Sequence, residues 1–193
     1  ADGASHTLSA AAALWGALWI QIGTNLANDY FDFKKGADTD ERVGPTRATA
    51  AGLIAPDTMK RAFLIAFGLV LPAAAYLITR GGWPIAAIGA SSIALGILYT
   101  ATPWALGYKG TADIVALVYF GPVAVGGTYW VQSQTLPNDI LIAGCAPGLL
   151  SVAMLTVNNL RDRATDAKVG KKTLAVRFGV GFARWEFTLA LLG

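Results

Sequence analysis

The sequence predicts an all-α fold: a polytopic bundle of transmembrane helices with five complete spans and a partial sixth. Three observations carry this. Of the 193 residues, 54% are hydrophobic and only 14% charged, against about 25% charged in soluble domains, and the mean hydropathy is +0.50. The apolar residues gather into runs close to the ~20 residues that a helix needs to cross a bilayer. The basic residues gather in alternate connections between those runs, as the topology of membrane proteins requires.

The first run, residues 8–27, lacks the basic start of a signal peptide and leads directly into a polar motif. Residues 62–79, 83–102, 114–131 and 140–157 follow, and a sixth run begins near Phe182. Several runs are rich in Gly and Ala, as where helices pack closely in lipid. Pro72, Pro122 and Pro147 lie inside runs and are expected to kink them. Trp83, Trp104, Trp130 and Trp185 fall near the span ends, consistent with an interfacial aromatic belt. The chain opens at Ala1 and stops at Gly193 within an apolar run, so residues 1–193 are expected to be one domain, truncated at both ends, of a longer membrane protein. The lone Cys145 is expected to pack as a small apolar residue, and the lone His6 to be a polar flank.

Orientation follows from Lys and Arg. Fourteen of the fifteen basic residues lie between Asn28 and Arg61, at Lys109, or between Asn158 and Arg184; only Arg80 lies on the other side. The positive-inside rule then places both long loops in the cytoplasm, with the protein multi-pass in the cell membrane. Topology and lipid headgroups account for basic residues so placed. They do not account for the acids interleaved among them.

Those acids form two motifs, each closing an apolar run. Asn25, Asn28, Asp29 and Asp32 are spaced to share one face of a continuing helix, and so are Asn158, Asp162 and Asp166. Ionisable groups at the mouth of a membrane bundle are costly and point to function. Hard divalent cations such as Mg²⁺ are bound by one or two carboxylates completed by water and substrate phosphate oxygens. Two such faces across a cavity could hold a diphosphate through Mg²⁺. Lys34, Lys35, Arg47, Lys109, Arg161, Lys171 and Arg177 would supply the protein's own cations to the anion. A solvated loop with caps and surface ion pairs is the plainer alternative, and the occurrence of two similar motifs weighs against it. The order span, Asn/Asp motif, basic Gly-containing loop, span also suggests an internal repeat. Tyr99, Thr100, Thr102 and Tyr108 could line a cavity, although belt positions suit them better; Asp113, four residues after Lys109, suggests a local ion pair.

These strings resemble a known family. Asn28-Asp-x-x-Asp32 and Asp162-x-x-x-Asp166 look like the paired Asp-rich motifs of the UbiA superfamily of intramembrane aromatic prenyltransferases. The stretches 28–39, 42–47, 158–162 and 170–179 are similar to the 1,4-dihydroxy-2-naphthoate prenyltransferases of menaquinone synthesis. The resemblance implies a bundle of about nine spans around a lipid-open cavity. It further implies transfer of a polyprenyl chain from polyprenyl diphosphate to 1,4-dihydroxy-2-naphthoate, with loss of CO₂, to give demethylmenaquinone. Asp29, Asp32, Asp162 and Asp166 would be the catalytic, Mg²⁺-binding acids. Asn25, Asn28, Lys34, Arg47, Lys109, Asn158, Arg161, Lys171 and Arg177 would contact the diphosphate. Membrane lipid is the other expected partner, and nucleic acid is not. Another aromatic acceptor, 4-hydroxybenzoate or homogentisate, would keep the chemistry. A non-catalytic cation transporter would instead place ionisable groups near the bilayer midplane.

Overall fold

The computed structural model describes residues 5–38, 43–101 and 105–193. Thr102, Trp104 and the stretch 39–42, which enter the sequence argument, lie outside them. Regular structure among the described residues is helical: α1 (Thr7–Lys34), α2 (Pro56–Gly68), α3 (Leu71–Gly81), α4 (Trp83–Leu98), α5 (Ala112–Val118), α6 (Ala124–Ser133), α7 (Asn138–Arg161), α8 (Arg163–Lys168) and α9 (Leu174–Leu192). A short 3₁₀ turn, Leu106–Tyr108, precedes α5, and a π-type turn, Tyr119–Val123, joins α5 to α6. The all-α bundle is as expected.

The span lengths differ from the expectation in places. Three helical stretches are long and apolar enough to cross a membrane: Pro56–Gly81, Ala112–Ser133 and Asn138–Arg161. α4 is apolar but has only 16 residues, about 24 Å of helix against a hydrocarbon core of about 30 Å, because it ends at Leu98 rather than continuing to Thr102. α1 has 28 residues, but Gln21, Thr24, Asn25 and the first motif dilute its apolar character. The last helix begins at Leu174, earlier than Phe182, and turns sharply at Gly179 (φ 84°, ψ −175°), a conformation open to glycine.

The prolines act unequally. Pro72 sits in the first turn of α3, just after the chain breaks from α2 at Leu69 and Val70. Pro122 lies in the π-type turn, where Gly121 leaves helical geometry (φ −103°, ψ −114°). Pro147, in contrast, lies inside α7 without interrupting it.

Two helices organise the packing. α1 contacts α2, α3, α4 and α6, and α7 contacts α5, the π-type turn, α6, α8 and α9. Ala27, Phe63 and Phe67 form the core of the first half, and Val152, Ala153 and Ala190 that of the second. Many large apolar side chains point outward, among them Leu14, Leu64, Ile65, Trp83, Ile142 and Met154. Such a surface suits lipid rather than water. Cys145 is also exposed, so it faces outward with them and is not a packing residue. His6 is more than a flank: its Nδ1 accepts the Ser9 N–H at 3.2 Å and caps α1.

Glycine sets the closest approach. A methyl group on Gly148 would lie 2.5 Å from the carbonyl oxygen of Leu117 and 3.1 Å from Cα of Gly121. Gly89, in α4, has nothing within 4 Å of that position. Gly148→Ala is therefore expected to lower stability by about 1–3 kcal/mol through overpacking. Gly89→Ala should be neutral or stabilising by up to about 1 kcal/mol. Thermal unfolding in detergent checks both, and a Gly148→Ala protein as stable as wild type would remove the close-packing argument.

Candidate functional site

Both motifs end in the same backbone device. After α1, the Gly36 N–H donates to the carbonyl of Phe33 and the Ala37 N–H to that of Asp32, at 3.0 and 2.9 Å. After α8, the Gly170 N–H donates to Ala167 and the Lys171 N–H to Asp166, at 3.3 and 2.9 Å. Gly36 and Gly170 have φ of 65° and 77°, the left-handed conformation of a Schellman cap. Asp32 and Asp166 thus hold equivalent positions, four residues before the capping glycine, and four residues earlier again stand Asn28 and Asp162. The two motifs thus share a backbone cap and the spacing before it.

The first motif lies on one continuous helix, as expected. Asp32 is 2% exposed, and Asn28 and Asp29 are buried. The Tyr108 hydroxyl donates to Oδ1 of Asp32 at 3.0 Å, and Nη2 of Arg47 lies 4.0 Å from its Oδ2. The Thr100 hydroxyl donates to Oδ1 of Asn28 at 2.8 Å. Asp29 holds the following loop: its carboxylate accepts the backbone N–H groups of Ala48 and Thr49 at 3.0 and 3.1 Å. These begin the tight turn that carries Arg47.

The second motif departs from the single helix expected. α7 stops at Arg161 and Asp162 leaves helical geometry (φ −88°, ψ 1°) before α8 begins. The ladder is bridged, because the Asp166 N–H still donates to the Asp162 carbonyl at 2.8 Å. Arg161 pairs with its neighbour Asp162 through two hydrogen bonds, 2.8 and 2.7 Å.

Lys171 joins the two motifs. Its Nζ lies 3.6 Å from Oδ2 of Asp32 and 3.7 Å from Oδ1 of Asp166. The Tyr108 ring is flanked by two ammonium groups, Lys35 at 4.5 Å and Lys171 at 5.0 Å from its centroid, within cation–π range. Lys35 also donates to the Thr100 carbonyl, and the Lys172 N–H donates to the Tyr108 carbonyl at 2.9 Å. Burial, the charge on Asp32 and its hydrogen bond hold the Tyr108 phenol well above the usual range, so it stays protonated and donating. Burial lowers the Lys35 ammonium, opposed by Asp32 and reinforced by Lys171.

Asp32, Asp166, Arg47 and Lys171 are therefore brought together, with Asn28 and Asp29 in the supporting wall. Asn25, Asn158 and Arg177 are exposed, and no side-chain hydrogen bond or ion pair among the described residues ties them to this cluster. Lys34 is exposed, with its ammonium 5.9 Å from the Tyr30 ring, and Lys109 is half-buried in the turn after Tyr108. Tyr108 and Thr100 belong to the site rather than to the belt. The one local signal for them was their position between two spans on the basic side. The Lys109–Asp113 pair does not form: both carboxylate oxygens of Asp113 are buried without a hydrogen-bond partner.

The donor chemistry fits a divalent cation completed by phosphate. No three acidic, His or Cys side chains cluster among the described residues as a ready metal cage. Instead, one carboxylate from each motif borders a shared cation position, the arrangement of a Mg²⁺ site that relies on substrate oxygens. Beside it, Nε of Arg47 is buried with no acceptor, a donor left for an anion.

A helical membrane bundle with paired acidic motifs at one mouth and interleaved cations is the class that fold and site define. The chain belongs to the UbiA prenyltransferase family, whose match covers residues 1–193. It is 40% identical over 166 residues to a 1,4-dihydroxy-2-naphthoate octaprenyltransferase of Haemophilus influenzae, covering 83% of this chain and 54% of that protein. It is 38% identical over 180 residues to the Escherichia coli protein of that name, covering 90% and 58%. It is 40% identical over 183 residues to that of Mycobacterium tuberculosis, covering 94% and 62%. The chain thus spans a little over half the length of these relatives.

The Asp29 contacts carry a structural expectation. Asp29→Ala should cost about 1.5–3 kcal/mol, the range for hydrogen bonds to a charged group. Hydrogen exchange at Ala48 and Thr49 should accelerate while that of the α7 core does not change. Unaltered exchange at those amides would show that the turn holds itself.

Proposed function

We propose that the protein is an intramembrane aromatic prenyltransferase that transfers a polyprenyl chain from its diphosphate to 1,4-dihydroxy-2-naphthoate with loss of CO₂, leading to demethylmenaquinone. The observation that carries this is the alternation of charge at the site: Asp32 and Asp166 about the Lys171 ammonium, with the unsatisfied Nε of Arg47 beside them. Carboxylates alone would repel an anion, and cations alone would need no carboxylates. The names of the relatives support a naphthoate acceptor and a prenyl donor.

In this proposal Asp32 and Asp166, with Asp162, would hold Mg²⁺, which when bound neutralises charge on the diphosphate. Arg47 and Lys171 donate to diphosphate oxygens, stabilising the negative charge that builds as the allylic C–O bond breaks. Asp29 positions Arg47 through the turn it caps. Tyr108 orients Asp32 and, with Thr100 and Asn28, excludes water from the floor of the site. The apolar bundle interior shields the electron-poor prenyl carbon until the ring carbon attacks, a carbon–carbon bond forms and the carboxyl departs as CO₂.

The test uses the full-length protein in membranes with geranyl diphosphate, 1,4-dihydroxy-2-naphthoate and Mg²⁺. A prenylated, decarboxylated product is expected by mass spectrometry. Asp32→Asn and Asp166→Asn should each lower kcat at least about 100-fold, the scale of removing a preorganised charge contact. A folded protein inert towards this acceptor and towards 4-hydroxybenzoate and homogentisate would overturn the proposal.

The reading includes a site on the cytoplasmic side of the cell membrane, supported by the basic loops beside it. With Cys145 replaced by Ala, a cysteine at exposed Ala50 should react with a membrane-impermeant maleimide only after the cells are opened. Labelling in intact cells would reverse the orientation.

A further inference from the structure

Lys171 stands where the proposed metal would have to be felt. Its backbone is fixed on both sides, by the Lys171 N–H on the Asp166 carbonyl and the Lys172 N–H on the Tyr108 carbonyl. Its side chain is 14% exposed, so the ammonium is confined between the motifs. At 3.6 and 3.7 Å from the two carboxylates it is beyond the ~2.7–2.9 Å of a charge-assisted hydrogen bond. It therefore serves both acids as a shared point charge and is committed to neither. A lysine on a flexible four-carbon stem can give up such a position, which a forked, bidentate Arg would hold more firmly.

A divalent ion needs carboxylate oxygens at about 2.0–2.1 Å. Ammonium and metal cannot both be satisfied by Asp32 and Asp166 unless a further anion arrives to take one of them. Given the diphosphate site proposed above, that anion is the diphosphate. The ammonium of Lys171 lies over the Tyr108 ring, and Nη2 of Arg47 lies 4.0 Å from the same Oδ2 of Asp32 that Lys171 approaches, so an anion bound by Arg47 would lie within reach of the released ammonium.

We propose that Lys171 is an internal stand-in for the metal, holding the two acidic motifs together until diphosphate and metal bind, and making metal binding conditional on diphosphate. Lys171 moves to the diphosphate as it binds, and the divalent ion takes the position between the two carboxylates that the ammonium leaves. Metal and diphosphate bind with positive coupling, and Lys171 is the residue that sets it.

The experiment measures Mn²⁺ binding to the full-length protein by the loss of the free-ion EPR signal, with and without inorganic pyrophosphate, against a protein-free pyrophosphate blank. In wild type, Mn²⁺ alone should bind weakly and pyrophosphate should tighten it at least tenfold. Lys171→Met should bind Mn²⁺ alone at least tenfold more tightly than wild type and lose most of the tightening. Lys171→Gln, which keeps a polar group for the carboxylates should the Met variant fail to fold, should do the same, whereas Lys171→Arg, whose fork holds the carboxylates more firmly, should bind Mn²⁺ alone no more tightly than wild type and gain less from pyrophosphate. Folded variants that bind Mn²⁺ no more tightly than wild type, with the pyrophosphate effect intact, would overturn the stand-in role and leave the metal–diphosphate site standing. Absence of Mn²⁺ binding in wild type under both conditions would overturn that site itself, and the stand-in role with it.

Discussion

The shared ammonium of Lys171 is the contact on which the arrangement at the bundle mouth depends. It draws one carboxylate from the end of α1 and one from the end of α8 to within 4 Å of a common point. Without a cation there, two acids in a partly buried, low-dielectric setting would repel one another. The neighbouring features support this centre. Tyr108 donates to Asp32 and lends its ring face to both lysines. The turn after Asp29 brings Arg47 in from the side. The site is a charge network of alternating sign, incomplete at the Nε of Arg47.

The bundle beneath it is built to present two helix ends side by side. α1 and α7 are each the hub of one half, and each carries a motif at or just beyond its final turn. Glycine lets the second half close: Gly121, Gly144 and Gly148 bring the π-type turn against α7 at distances no side chain would allow. Close backbone approach of this kind replaces the hydrophobic drive that is absent between helices in lipid. The irregular backbone at Gly121 and Pro122 is tolerated because it is packed against another helix.

Much of this was legible in the sequence, for identifiable reasons. Charged groups at the end of an apolar run are expensive, so Asp32, Asp166, Arg47 and Lys171 stood out before any contact was known. Helix and loop order followed from apolar runs and basic residues. Tyr108 and Thr100 were less visible, because their value arises when the Leu106–Tyr108 turn folds back onto α1, across more than seventy residues of chain. Asp113 does not pair with Lys109 because the four-residue rule assumes one helix; α5 begins at Ala112, leaving Lys109 outside it. α4 is shorter than its apolar run because the chain turns at Tyr99, which hydropathy alone does not register.

The paired Schellman caps have a consequence for direction. They make Asp32 and Asp166 equivalent in backbone, yet what surrounds them is not: Asn28 answers to Asp162, and Ala37 to Lys171. One lobe is therefore lined by a neutral amide, and the other by an extra acid and a cation. A perfectly two-fold cradle would be indifferent to which end of a diphosphate it received. Broken equivalence gives this one a head and a tail, a polarity that the proposed donor, with its prenyl group on one phosphate alone, would require.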